Sequence, residues 1–282
     1  MPERRTARQQ RQDDGDEPTT RESSAWYDCH AHTRFSDGSA MESMIDAAVA
    51  AGCDGIGLAD HCLLAGDAHG RRDRFDLVET YEQRRERIDG LREGYEIDVF
   101  DAVEFNYVPG TESQIDSFLS DAAFEYAIGS VHFVDGCDIT SAATVATRSR
   151  DERRATVDAY YDAVVQLIES ELFDVVGHVD LPERLEPLRG LTTDAHYRAV
   201  ADALATSSTV PELNAGRARR GLGRLHPNPD ALELFTDRDI AFVLGTDGHT
   251  PREVRDRVEV LRAFVRDRPS LDLALPPIGS RS

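Results

Sequence analysis

From residue 25 to about residue 270 the chain alternates, seven times over, between a short apolar run and a stretch with helical spacing. The apolar runs lie near 26–29, 55–59, 97–103, 126–131, 174–177, 210–213 and 240–244 and are read as strands. The helical stretches lie near 41–51, 75–92, 113–121, 151–171, 194–206, 230–237 and 252–266. A short, nearly continuous apolar run is what a strand covered on both faces looks like. Over 151–171 the residues Val157, Tyr160, Tyr161, Val164, Val165 and Ile168 recur at the spacing of one helix face. Strand and helix in strict series build a parallel sheet with crossover helices. Seven such units predict a sheet closed into a barrel or nearly so, and 282 residues suit one α/β barrel better than two small domains.

What ends each strand is as informative as the strand. Histidines and acids follow the apolar runs in the segments Tyr27-Asp28-Cys29-His30-Ala31-His32, Gly57-Leu58-Ala59-Asp60-His61 and Asp101-Ala102-Val103-Glu104. They do so again in Ile128-Gly129-Ser130-Val131-His132, Val175-Val176-Gly177-His178 and Leu244-Gly245-Thr246-Asp247-Gly248-His249. Side chains at the ends of parallel strands converge on one face of a barrel, where such folds place their chemistry. In an extended segment residues two apart point the same way, so His30 and His32 can grip one ion. A lone H-x-H is weak evidence, but six motifs of one character are strong. Histidine with carboxylate is a ligand set for zinc, manganese or iron, and the pattern reads as a metal-dependent hydrolase. Six of the nine histidines fall in these motifs. His69 and His196 read as solvated surface residues, and His226, in Leu225-His226-Pro227, as a candidate pocket residue.

The 53 acids against 32 basic residues give a net charge of −21, and every basic residue is arginine. That balance argues against a general nucleic-acid binder, so no stable nucleic-acid complex is expected, and against binding to anionic membranes. An acidic, lysine-free surface fits a salty cytoplasm that screens carboxylate repulsion. A GC-rich genome, which disfavours lysine codons, is the alternative. Cys29, Cys53, Cys62 and Cys137 show no metal-knuckle or redox spacing and read as reduced thiols, which points to the cytoplasm. There is no transmembrane run and no signal peptide. Residues 1–24 are polar and charged and read as a disordered tail. Residues 271–282 read as a C-terminal tail, leaving 25–270 as the working domain. The segments 62–73 and 135–150 lack clear pattern and are candidate loops over the site.

Against this acidity, the segment NAGRARRGLGR places Arg217, Arg219, Arg220 and Arg224 in one glycine-containing loop after the sixth strand. Arginine forks match phosphate oxygens two at a time, which makes the loop a candidate anion site. Arg184, in Asp180-Leu181-Pro182-Glu183-Arg184, is a further candidate. No nucleophile elbow, P-loop or dinucleotide fingerprint is present.

The stretches DCHAHTRFSDG, LADH, VEFNYVPG, AIGSVHFVDG, LFDVVGHVDL, ELNAG and LGTDGHTPREV, taken in this order over about residues 26–260, resemble the PHP (polymerase and histidinol phosphatase) family and within it the monofunctional histidinol-phosphatases. The resemblance implies a distorted (βα)7 barrel of the PHP type with the metal site at the C-terminal ends of the strands. By position it implies that His30, His32, Glu104 and Asp247 hold one ion. Glu104 would bridge to a second ion completed by His132 and His178, and His61 and His249 would hold a third, with Asp37 as the acidic partner. Asp60 and Asp180 would orient ligands by accepting imidazole N–H bonds, with Asp60 as a direct ligand the alternative. Arg219 and Arg220 fall at the family's phosphate-contacting positions.

The expected cofactor is two to three divalent transition-metal ions, and the expected substrate a small phosphomonoester. Hydroxide held between two ions bridged by Glu104 would attack phosphorus, with Asp247 and His249 also in the catalytic set and the arginines neutralising phosphoryl oxygens. The implied activity is L-histidinol-phosphate phosphatase, in histidine biosynthesis. The alternative is a PHP-family phosphoesterase acting on nucleotides or short oligonucleotides, for which Phe105, Tyr107 and Phe133 could offer stacking surface. A catalytically silent metal-binding domain is a third class, disfavoured by the complete ligand set.

Overall fold

The computed structural model describes residues 25–64, 77–216, 218 and 225–278. Seven parallel strands form one sheet: β1 (Tyr27–Ala31), β2 (Gly55–Cys62), β3 (Asp98–Asn106), β4 (Tyr126–Ser130), β7 (Val175–Val176), β8 (Val210–Asn214) and β9 (Val243–Gly245). Their order in space is their order in sequence. The helices between and after them are α1 (Met41–Ala50), α2 (Leu77–Arg92), α3 (Glu112–Asp121), α4 (Ala142–Ala146), α5 (Arg150–Glu169), α6 (Asp194–Leu204), α7 (Leu232–Thr236) and α8 (Pro251–Arg266). A small antiparallel hairpin, β5 (Phe133–Val134) with β6 (Cys137–Asp138), stands after β4. All seven strands and the helices read from periodicity are present. The hairpin, α4 and the 3-10 turn Leu181–Arg184 were not expected, because each is too short to show a period.

The sheet nearly closes on itself. β1 meets β9 through His32 N–H donating to Gly248 O (2.8 Å) and Asp247 N–H donating to His30 O (2.7 Å). The buried Asp28 carboxylate joins the same seam by accepting from Thr246 N (2.9 Å) and Thr246 Oγ1 (2.6 Å). At the other end, residues past α8 dock on the barrel: Phe242 N–H donates to Asp272 O (3.0 Å) and Ala274 N–H to Phe242 O (2.9 Å).

Register decides what fills the barrel. Gly57 stands opposite Phe100, Ala59 opposite Ala102, and His61 opposite Glu104, while Ala102 pairs with Tyr126 and Glu104 with Ile128. Cys29, Ala59, Phe100, Ala102, Tyr126, Ile128, Val175 and Val243 form one small apolar cluster. Gly57 is required there, because a Cβ would overlap the Tyr126 hydroxyl, which donates to Cys29 O (2.6 Å). Along β2 and β3 the face that carries Ala59, Phe100 and Ala102 low in the barrel carries His61 and Glu104 at the C-terminal end. The larger apolar clusters lie under the helices and supply most of the burial.

Helix starts follow local chemistry. Ser149 and Glu152 form a reciprocal capping box on α5, and Thr250 caps α8 ahead of Pro251. His196 is not a freely solvated side chain: it completes the capping box of α6 with Thr193, stacks on Tyr161 at 4.6 Å and bonds Asp158 at 3.1 Å. His69 lies outside the described residues.

Candidate metal centre

Six imidazoles and three carboxylates converge at the C-terminal ends of the strands. At their middle is Glu104, buried at the end of β3. Its Oε2 lies 2.6 Å from His61 Nδ1, 3.5 Å from His30 Nε2 and 3.7 Å from His32 Nε2. Its Oε1 lies 3.0 Å from His178 Nε2 and 3.5 Å from His132 Nε2. His132 and His178 bring their Nε2 atoms within 3.3 Å of each other. Asp247 Oδ1 is 3.4 Å from His32 Nε2. Asp37 Oδ1 stands 3.3 Å from His249 Nε2 and 3.8 Å from His61 Nε2.

The potential ligand atoms fall into three overlapping groups: His30, His32 and Glu104; His61, Glu104 and His132; and His32, Asp37, His61 and His249. These groups take in seven of the nine residues expected to bind ions, and the other two, His178 and Asp247, reach the cluster at Glu104 and His32. The grouping is more interleaved than the one expected, since His32 and His61 each stand in two groups. His178 approaches Glu104 without joining a group of three.

The donor chemistry fits divalent ions. His30 Nε2, both ring nitrogens of His32 and His178 Nδ1 are buried and have no hydrogen-bond partner among the described residues. Buried polar atoms are nearly always satisfied, so a knot of orphans facing one another marks a ligand-binding arrangement. The backbone bears this out. His178 and Asp247 both sit in the left-handed region, with φ of 23° and 51°. Such conformations cost of order 1–3 kcal/mol each and cluster at functional sites.

Charge is distributed unevenly. Burial pushes the Glu104 carboxyl up, but His61, His30 and His132 and the bond to His178 outweigh it and hold Glu104 well below the usual range. Burial and the charges of His249 and His61 push His32 down to about 4. His132 is pushed down to about 3, by burial first and by His178 and His61 against the pull of Glu104. Burial would lower His249 too, but Asp37 and Asp247 raise it to about 9. His249 Nδ1 faces its own chain at Asp247 O (3.0 Å), so an N–H there donates to that carbonyl and turns Nε2 to Asp37.

Two expectations about supporting acids need correction. Asp60 spends its carboxylate on Thr33 N (2.6 Å), Thr33 Oγ1 (2.7 Å), Ser36 Oγ (2.8 Å) and Arg84 Nε (2.8 Å). It fastens the loop that carries Asp37 rather than an imidazole. Asp180 does meet an imidazole, but that of His226, together with Tyr197 Oη (2.8 Å) and Asn228 N (2.7 Å). His226 is thus a buried anchor for its loop and not among the residues lining the main cavity.

The residue that does support His30 and His178, Glu212, escaped the sequence reading. Its Oε1 meets His30 Nδ1 at 2.8 Å, and its Oε2 accepts from His178 N (3.2 Å) and Asn214 Nδ2 (2.9 Å). The available signal was an acid inside an otherwise apolar strand, because a buried carboxylate requires partners. Arg257 and Glu253 of α8 were missed as well. Arg257 donates to Thr246 O (3.1 Å) and Asp247 O (2.5 Å), and Glu253 accepts from His249 N (3.0 Å).

A cavity of about 300 Å³ opens on the cluster. Asp37, His61, Glu104, His132, His178, Asp247 and His249 form its polar floor, and Leu63, Phe133, Leu181 and Leu185 its apolar wall. Arg184 reaches the floor: Nη1 donates to Asp247 Oδ2 (3.0 Å) and Nη2 to Asn214 Oδ1 (2.5 Å). Phe105 and Tyr107 are packed in the core, which leaves Phe133 as the aromatic side chain of the three on the cavity. Arg217, Arg219, Arg220 and Arg224 lie outside the described residues.

Residues 28–209 match the PHP domain. A protein of Deinococcus radiodurans named "Probable histidinol-phosphatase" is 29% identical over 248 residues, covering 85% of this chain and 92% of that one. Among solved structures, the fold resembles that of histidinol phosphate phosphatase HisK from Lactococcus lactis, complexed with zinc, L-histidinol and phosphate. That match has a TM-score of 0.69 and 20% identity, over 88% of this chain and 95% of that one. A candidate histidinol phosphatase HisK from Listeria monocytogenes matches with a TM-score of 0.70 and 20% identity, over 80% of this chain and 96% of that one.

Proposed function

Since the chain belongs to the PHP domain family, we propose that it is a metal-dependent phosphomonoester hydrolase acting on L-histidinol phosphate, in histidine biosynthesis. The observation that carries this reading is the knot of buried imidazoles with unpartnered ring nitrogens around the Glu104 carboxylate, open to a cavity of small-molecule size. The similarity to the Deinococcus protein, nearly end to end, supports the substrate. A phosphoesterase for nucleotides or short oligonucleotides is the less favoured reading.

Two to three ions are proposed, drawn from zinc, manganese and iron. His30, His32, Glu104 and Asp247 would hold one, Glu104, His132 and His178 a second, and His61, His249 and Asp37 a third. Ions bound there supply Lewis acidity toward the phosphoryl oxygens and toward water. The chain's own contribution is placement and charge. Glu104, held ionised by the surrounding imidazoles, is suited to being shared between two cations. Arg184 brings a fixed positive charge to the rim of the cluster, and Arg217, Arg219 and Arg220 are proposed to add forks for the phosphate. Leu63, Phe133, Leu181 and Leu185 exclude water from one side, which strengthens every charge interaction on the floor.

The catalytic unit is read as residues 25–270, between a polar tail over 1–24 and a C-terminal segment over 271–282. A reducing compartment, the cytoplasm, is proposed from the four cysteines, all of them buried free thiols. No helix among the described residues is long and apolar enough to cross a membrane. The lysine-free acidic surface is read as an adaptation to high salt.

The test is a steady-state comparison, on enzyme loaded with zinc or manganese, of histidinol phosphate with AMP, other small phosphomonoesters and short oligonucleotides. Histidinol phosphate is expected to give the highest kcat/KM. A higher value for AMP or an oligonucleotide would overturn the substrate assignment, and no turnover of any ester by metal-loaded protein would overturn the activity.

A further inference from the structure

Glu212 lies behind the cluster on β8, fully buried, with no face toward the main cavity. Three N–H groups meet its two oxygens: His30 Nδ1 at 2.8 Å on one, and His178 N at 3.2 Å and Asn214 Nδ2 at 2.9 Å on the other. A carboxylate only accepts, so the contact with His30 places a hydrogen on Nδ1. His30 Nε2 then points the other way, 3.5 Å from Glu104 Oε2, and is one of the buried atoms without a hydrogen-bond partner. The bond to His178 N acts at a residue whose φ of 23° no side chain adopts without support. The strands make room for this carboxylate: a Cβ at Gly245 would collide with it and with His30 Cβ, and a Cβ at Gly177 would contact it and overlap Ser130 Oγ.

From this arrangement we propose that Glu212 is the positioning residue of the metal centre, one side chain that presents His30 through Nε2 and at the same time fixes the backbone from which His178 projects. The two histidines are assigned to different ions, so a single buried carboxylate sets the spacing between two ion sites from behind. Orientation of a ligating histidine by a carboxylate on its far nitrogen is a general means of tuning a metal site. Here the same carboxylate also serves a second ligand through the main chain. The proposal rests on the metal-binding reading above.

Glu212→Gln tests it. Glutamine keeps the shape but offers one oxygen, and it turns two amide hydrogens toward donors that need an acceptor. Zinc affinity is read by competition with a chromophoric chelator, on wild type and variant, with folding checked by near-UV circular dichroism. The variant is expected to bind zinc about ten- to a hundredfold more weakly. In nitrogen-15 spectra of the zinc-free wild type, a slowly exchanging proton is expected on His30 Nδ1, and the variant should lose it. Equal zinc affinity in a folded variant overturns the assignment and leaves the metal reading intact. A wild type that binds no zinc, manganese or iron overturns both. Should the variant fail to fold, the wild-type spectrum decides: a His30 ring without an Nδ1 proton overturns the assignment, and a protected one supports it.

Discussion

Two buried ionic clusters stand a few residues apart on the same strands and have opposite characters. One is built on Arg84 of α2, whose side chain is fully buried outside the barrel. Its Nε donates to Asp60, its Nη1 to Asp101, and its Nη2 to the carbonyls of Leu58 and Ala102. Asp60 in turn takes both polar groups of Thr33 and the Ser36 hydroxyl. All three nitrogens of that guanidinium are bonded, Asp101 Oδ2 is left as a buried oxygen without a hydrogen-bond partner among the described residues, and the result is a joint between α2, β2, β3 and the loop after β1. The other cluster, around Glu104, crowds six imidazoles about its carboxylates and leaves several of their inward atoms without partners. The contrast teaches that buried charge by itself does not mark a site. Where the protein supplies a cation and nearly completes the hydrogen bonding, the cluster belongs to the fold, and where several clustered imidazole atoms go unpaired, the cluster is suited to partners from outside.

The sharpest way to break this comparison is to damage each cluster and read both stability and ion content. Arg84→Met leaves two buried aspartates facing each other without their cation. It should lower unfolding free energy by about 3–5 kcal/mol in a denaturant titration. The molecules that remain folded should keep their full ion content, and a drop in ions per folded chain would show that the two clusters are one system. Glu104→Gln should do the reverse. Turnover and ion content should fall, turnover by at least about a hundredfold, because one carboxylate serves two ions. The melting temperature of the ion-free protein should move less than it does in Arg84→Met. A Glu104→Gln enzyme with wild-type ion content and rate would refute the bridging role.

The smallest effect concerns the surface rather than either cluster. With a net charge of −21, screening should relieve repulsion among exposed carboxylates while leaving the buried clusters untouched. Raising KCl from low to molar concentration should therefore stabilise the folded state by roughly 1 kcal/mol, or about 2–4 °C in Tm. A Tm that does not rise would count against adaptation to salt. A rise that is lost in Arg84→Met would mean that salt acts on the interior.

How far the sequence was readable follows the same division. The seven strands were legible because each is a short apolar run, and eight of the nine candidate ligands because each stands where such a run ends, whereas Asp37, in the loop after β1, came from the family resemblance. Their convergence followed from parallel topology alone. What lay beyond reach depended on register and on backbone angles. Glu212 and Asp28 sit inside strands, and only the assembled sheet shows what their carboxylates meet, His30 and His178 for the one and Thr246 across the seam for the other. Asp60 and Asp180 were recognised as buried supporting acids but given the wrong partners, because Arg84 and His226 come from segments distant in sequence. The left-handed angles at His178 and Asp247 leave no trace in residue type, since neither is a glycine.

The seam between β1 and β9 has a consequence for how the enzyme comes into being. The same few residues close the barrel and complete the centre: His30 and His32 on one side of the seam, Asp247 and His249 on the other, joined by main-chain bonds. Asp247 follows His30 in the chain by 217 residues, so the two sides of the seam are synthesised far apart. A nascent chain that already carries five of the six clustered histidines cannot assemble the centre until β9 and the clamp from α8 have emerged. Reactivity in this molecule is therefore withheld during synthesis and arrives together with the finished tertiary structure.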